Sequence, residues 1–100
     1  LALYIAFRVN YRAARAREEV SLSRTNLRIR KVPPSGRPEE HSFNPFWTRF
    51  RVRRHAELGI TDMAVEAREK RVRIGSFLNP DDRESFAKAF GQALATAKGR

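Results

Sequence analysis

Arginine recurs at every second position in three separate segments: Arg28 and Arg30, then Arg49, Arg51 and Arg53, then Arg71 and Arg73. Apolar residues occupy the positions between and beside them, Leu27 and Ile29, Phe50 and Val52, Val72 and Ile74. A spacing of two places like side chains on one face of an extended strand. The guanidinium is a permanent cation whose planar fork of donors matches carboxylate and phosphate. If the three segments share one sheet, all seven guanidiniums cover its outer surface and face an anion. Lipid headgroups, an acidic protein or nucleic acid would each supply one. The competing account is a solvated face in which the arginines pair with Asp62 and Glu66.

The remaining reactive side chains carry less direction. His41 and His55 lie fourteen residues apart, and the chain has no cysteine, so metal-ligand spacing is missing. His41 follows Glu39 and Glu40 along what reads as an exposed strand. Ser35, Ser42, Ser76 and Ser85 have no neighbouring base in sequence to activate them. Adjacent carboxylates occur as Glu18–Glu19, Glu39–Glu40 and Asp81–Asp82. On a strand such neighbours face opposite ways, and Asp81–Asp82 is explained by a helix start. Gly36, Gly59, Gly75, Gly91 and Gly99 are scattered singly, without a phosphate-binding loop. The sequence therefore predicts neither an enzyme nor a cofactor, and no small-molecule substrate.

The charge is large and local. The net value is +10 over 100 residues, and residues 20–54 carry nine Lys/Arg against Glu39 and Glu40. Residues 55–78 balance four acids with four bases. A basic excess concentrated in one stretch makes a local field that draws anionic partners. Only Trp47 is interleaved with the exposed arginines as a base-stacking platform would require, and no helix-turn-helix or zinc-finger pattern is present. Nucleic acid thus ranks last among the partners.

Around these residues the elements read clearly. Leu1 to Phe7 are all apolar and Arg8, Arg12, Arg15 and Arg17 follow. An apolar run meeting a basic run is the pattern of a membrane helix leaving the bilayer on its cytoplasmic side. Residues 1–19, rich in Ala and Arg and free of Gly and Pro, are expected to be helical, the end of a membrane span with a basic juxtamembrane turn. An ordinary amphipathic helix packed on the domain is the alternative, but the apolar residues come as a block rather than as a stripe.

From Val20 the period becomes two. Short strands are expected at Val20–Leu22, Leu27–Ile29, Glu39–Phe43, 46–53, 61–67 and 71–74. Turns fall at Thr25–Asn26, Pro33–Gly36, Asn44–Pro45, Ala56–Gly59 and Arg68–Lys70. Asn79 reads as an N-cap, Pro80 as the first helical residue, and Asp81 and Asp82 as acids at the positive end of the dipole. Phe86, Phe90, Ala93, Leu94 and Ala97 then form one apolar stripe, with Gly99 ending the helix. The fold class is α+β: a helix at the start, an antiparallel meander of five or six strands, and a C-terminal helix packed on the sheet, arranged like a pleckstrin-homology domain. Two parts are expected, residues 1–19 and a cytoplasmic domain of residues 20–100.

The run YIAFRVNYRAARAREEVSLSRTNLRIRKV, the FNPFW at Phe43 to Trp47 and the RVRIGSFLNPDDRESFAKAF near the end resemble the proteobacterial integral membrane family called domain of unknown function 2244. The resemblance covers nearly the whole chain. It implies two closely spaced membrane helices followed by a small cytoplasmic domain, and brings no catalytic residues or cofactor with it. The expected function is a non-catalytic, membrane-anchored interaction domain, an accessory subunit of a larger complex in the bacterial inner membrane. The alternative is peripheral binding of anionic lipid headgroups. The contact residues in either case are Arg8, Arg12, Arg15, Arg28, Arg30, Arg49, Arg51, Arg53, Arg71 and Arg73.

Overall fold

The computed structural model describes residues 5–11, 16–76 and 78–99. Seven strands and one helix follow one another in these segments. The strands are β1 (Ile5–Tyr11), β2 (Ala16–Leu22), β3 (Leu27–Val32), β4 (Glu39–Phe43), β5 (Arg49–His55), β6 (Gly59–Ala67) and β7 (Lys70–Arg73), and the helix is α1 (Pro80–Ala97). All pairings are antiparallel between sequence neighbours, in a four-stranded sheet β1-β2-β3-β4 and a three-stranded sheet β5-β6-β7. The class is α+β as expected.

Two expectations are corrected. Within the helix expected over residues 1–19, the described residues form β1 and the start of β2, paired from Ile5↔Leu22 to Tyr11↔Ala16, while residues 1–4 and 12–15 lie outside the described residues. Ala and Arg are good helix formers, but local propensity is a small energy per residue, and pairing with a neighbouring strand overrides it. The strands also divide between two sheets rather than forming one.

The core lies between the sheets and under α1. Val20, Leu22, Leu27, Ile29 and Phe43 come from the first sheet, Ile60, Met63, Val65 and Val72 from the second, and Phe86, Phe90, Ala93, Leu94 and Ala97 from the helix. Phe90 is fully buried, parallel to Phe86 at 5.5 Å and edge-on to Phe50 at 4.9 Å. Local signals set α1 in place: Asn79 Oδ1 accepts from Asp82 N at 2.8 Å, Pro80 opens the first turn, and Gly99 takes φ 82° beyond the end. Arg83 then ties the helix to the sheet edge, donating to the carbonyls of Ile60, Ser76 and Gly75 at 3.0, 2.8 and 3.3 Å.

Glu18 crosses between the sheets. It projects inward from β2 beside Val20 and is buried. Its Oε1 accepts from Gly75 N at 2.8 Å, and Oε2 lies 3.3 Å from Lys31 Nζ on β3. Gly75 sits at φ 68°, a left-handed conformation that favours glycine at this crossing.

Candidate anion-binding surface

The three-stranded sheet buries one face and exposes the other. On its exposed face the register sets Arg49 opposite Glu66, Arg51 opposite Ala64 and Arg53 opposite Asp62. From the other side of β6, Arg73 stands opposite Ala64 and Arg71 opposite Glu66. Five arginines from β5 and β7 therefore flank a central strand that offers two carboxylates and a small alanine. Ala64, though on this outer side, is fully covered by the side chains around it.

The ion pairs are unevenly shared. Glu66 accepts from Arg51 Nε at 2.9 Å and lies 3.5 Å from Arg71 Nη1. Asp62 takes Arg71 Nη2 at 3.0 Å and Arg73 Nε at 2.8 Å. Both carboxylates are thus committed to Arg51, Arg71 and Arg73. Among the described residues, Arg49 and Arg53 make no ion pair, and both are exposed. Exposed pairs of this kind add little stability, about 0–1 kcal/mol each. Their larger effect is to fix three guanidiniums while two stay free, leaving the face positive.

Arg28 and Arg30 do not join this group. They lie on β3 in the other sheet, Arg28 opposite Ser42 and Arg30 opposite Glu40, with Arg30 also 3.7 Å from Glu19. The expected single surface of seven arginines is therefore a surface of five, because the strands belong to two sheets. Arg8 stands on β1 opposite Glu19 in the register, and Arg12 and Arg15 lie outside the described residues.

The histidines have local roles. His55 Nδ1 accepts from the backbone N–H of Glu57 and Leu58 at 3.1 and 3.3 Å, closing the β5–β6 turn. His41 lies 4.0 Å from Glu39. No group of three or more His, Cys, Asp and Glu is placed to hold a metal among the described residues.

One end of the arginine face carries a feature that was read differently from the sequence. Pro45–Trp47 forms a 3₁₀ turn, with Asn44 Oδ1 accepting from Phe46 N at 3.0 Å and Thr48 Oγ1 donating to Asn44 O at 2.7 Å. Phe46 and Trp47 were expected to begin a strand over residues 46–53. Instead Pro45 is buried, and Phe46 and Trp47 are 61% and 63% exposed, their rings edge-to-face at 5.0 Å. Strand β5 starts only at Arg49, so the period of two does not reach back to Phe46.

The β6–β7 turn lies beside these aromatics. Trp47, Arg49, Glu66, Ala67 and Arg68 line a shallow recess of about 300 Å³. Arg68 adopts φ 57°, the one non-glycine residue with positive φ among those described. A side chain in that region costs about 1 kcal/mol, and strain of this sort invites a functional explanation. Arg68→Gly is therefore expected to raise the unfolding free energy by about 1 kcal/mol in urea denaturation. No gain would mean that the turn holds Arg68 without strain.

Among the described residues, no helix is long and apolar enough to cross a membrane. No curated protein and no solved structure matches the chain. A family model described as "Integral membrane protein (DUF2244)" matches residues 1–94, which is nearly its full length. The chain belongs to the DUF2244 family of integral membrane proteins.

Proposed function

We propose that this chain is a non-catalytic interaction domain of a membrane protein, and that the outer face of β5-β6-β7 meets an anionic headgroup layer. The observation that carries this reading is the composition of that face: five arginines against Asp62 and Glu66, with Arg49 and Arg53 free of any ion pair among the described residues. Family membership supplies the context, since a domain attached to a bilayer meets headgroups at short range. Each Lys or Arg near an anionic leaflet contributes about 1 kcal/mol of attraction. The proposed site is the cytoplasmic side of the bacterial inner membrane. In support, Arg8, Arg12, Arg15 and Arg17 follow an apolar run, and the chain carries +10 overall. This reading ranks above an accessory role in a larger complex, because the arginine face is a surface of defined sign that matches an anionic layer.

Co-sedimentation with vesicles tests it. The chain is expected to pellet with phosphatidylcholine vesicles that contain phosphatidylglycerol and to remain in solution with phosphatidylcholine alone. Binding should fade at about 1 M salt, where the screening length falls to about 3 Å. Equal binding to both vesicle types, or binding insensitive to salt, would contradict the proposal.

A further inference from the structure

The arginine face ends in an aromatic corner, and the two differ in chemistry. Phe46 and Trp47 are large rings exposed side by side on a turn whose own hydrogen bonds and buried proline fix it. Three cations share recesses with Trp47: Arg49 at the start of β5, and Arg68 and Lys70 at the β6–β7 turn, all exposed. A groove of about 670 Å³ runs between the turn and the hairpin, lined by Phe43, Trp47, Arg68, Glu69 and Lys70 among others, two cations against one carboxylate. Lys70 Nζ lies 4.8 Å from the centre of the Phe43 ring, so this cation already rests over an apolar wall.

Two exposed rings with three cations on the Trp47 side match the boundary of a bilayer. Trp is favoured there because its body is apolar and its indole N–H is polar. Cations beside it reach phosphates at the same depth, while their aliphatic stems lie along the acyl boundary. An apolar protein partner would be served by the rings alone. The cations beside Trp47, three against Glu66 and Glu69 with Glu66 already paired to Arg51 and Arg71, favour an anionic interface.

We infer that the Pro45–Trp47 turn and the β6–β7 hairpin form a membrane-interface anchor: Phe46 and Trp47 enter the headgroup–acyl boundary of an anionic bilayer while Arg49, Arg68 and Lys70 hold its phosphates. This inference rests on the headgroup-facing reading of the arginine surface and gives that surface an orientation. The end of the sheet bearing the 3₁₀ turn goes in first, and the β5–β6 turn with Leu58 stays out.

Trp47 is the sole tryptophan of the chain, so its fluorescence reports on the corner alone. On phosphatidylcholine–phosphatidylglycerol vesicles its emission is expected to shift to the blue, and lipids brominated high on the acyl chain should quench it. Phe46→Ser, at an exposed position that leaves the core untouched, is expected to weaken binding roughly tenfold. Arg68→Gly should weaken it roughly fivefold while leaving the fold intact. If the chain pellets with anionic vesicles but Trp47 emission and quenching do not change, the anchor is overturned and the arginine face stands. If emission shifts equally on phosphatidylcholine alone, the role given to Arg49, Arg68 and Lys70 is overturned. If the chain pellets with neither vesicle type, both readings fall.

Discussion

Glu18→Ala is expected to lower the unfolding free energy by about 3 kcal/mol, read from chemical denaturation with an unchanged slope. Glu18 is only 3% exposed, yet it stands in line with Val20 and Leu22 on the buried side of β2. A carboxylate in that position is stable because both oxygens are used, one by Gly75 N and the other by Lys31 Nζ. Truncation to alanine leaves a buried backbone N–H unpaired, which costs about 1–3 kcal/mol. It also strands the Lys31 ammonium. Breaking a fully buried pair costs about 3–5 kcal/mol, but the Lys31 side chain keeps 27% exposure, so water recovers part of that loss. Glu18→Gln keeps an acceptor for Gly75 and is expected to lose less than half as much. A small domain has about 5–15 kcal/mol in all, so the alanine change should be plain in a melt. A loss under about 1 kcal/mol would show that the contact between the sheets does not depend on this side chain.

The same residue explains why the first strands were hard to read. Strand β2 contains Arg17, Glu18 and Glu19 in succession, two facing out and one facing in. With all three charged, the alternation that marks a strand is invisible until Val20, and the Ala- and Arg-rich stretch before it reads as helix. Helix α1 was legible because its signals are local: cap, proline, acids and stripe all lie between Asn79 and Ala97. The arginine alternation was legible for the same reason, since it needs only the period of one strand. The sheet to which each strand belongs was not, because it depends on pairing at a distance. Phe46 and Trp47 were misplaced by extending the pattern of Phe50 and Val52 backwards. Asn44 and Pro45 wind the chain into a 3₁₀ turn there, and the period changes from two to three.

Reversing charge at Arg49 and Arg53 separates a surface effect from a general one. The double variant Arg49→Glu with Arg53→Glu is expected to weaken binding to anionic vesicles roughly a thousandfold while the chain stays folded. These two arginines are chosen because Asp62 and Glu66 are already held by Arg51, Arg71 and Arg73. The native face sets five cations against two anions; the variant sets three against four, and its sign turns over. Four units of charge at about 1 kcal/mol each give the expected loss. The fold should tolerate the change, because both positions are exposed and each new like-charge pair, with Glu66 or Asp62 across the strand, costs at most about 1 kcal/mol. Replacing Arg71 instead would take one of two partners from each carboxylate and confuse the two effects. Arg28→Glu with Arg30→Glu is the matching control, since it removes the same charge from the other sheet. Screening over about 8–10 Å should confine its influence to that sheet, so binding is expected to stay within about threefold of the native chain. If both double variants lost affinity alike, the +10 charge as a whole would govern attachment, and the arrangement of arginines on β5 and β7 would have no special part in it.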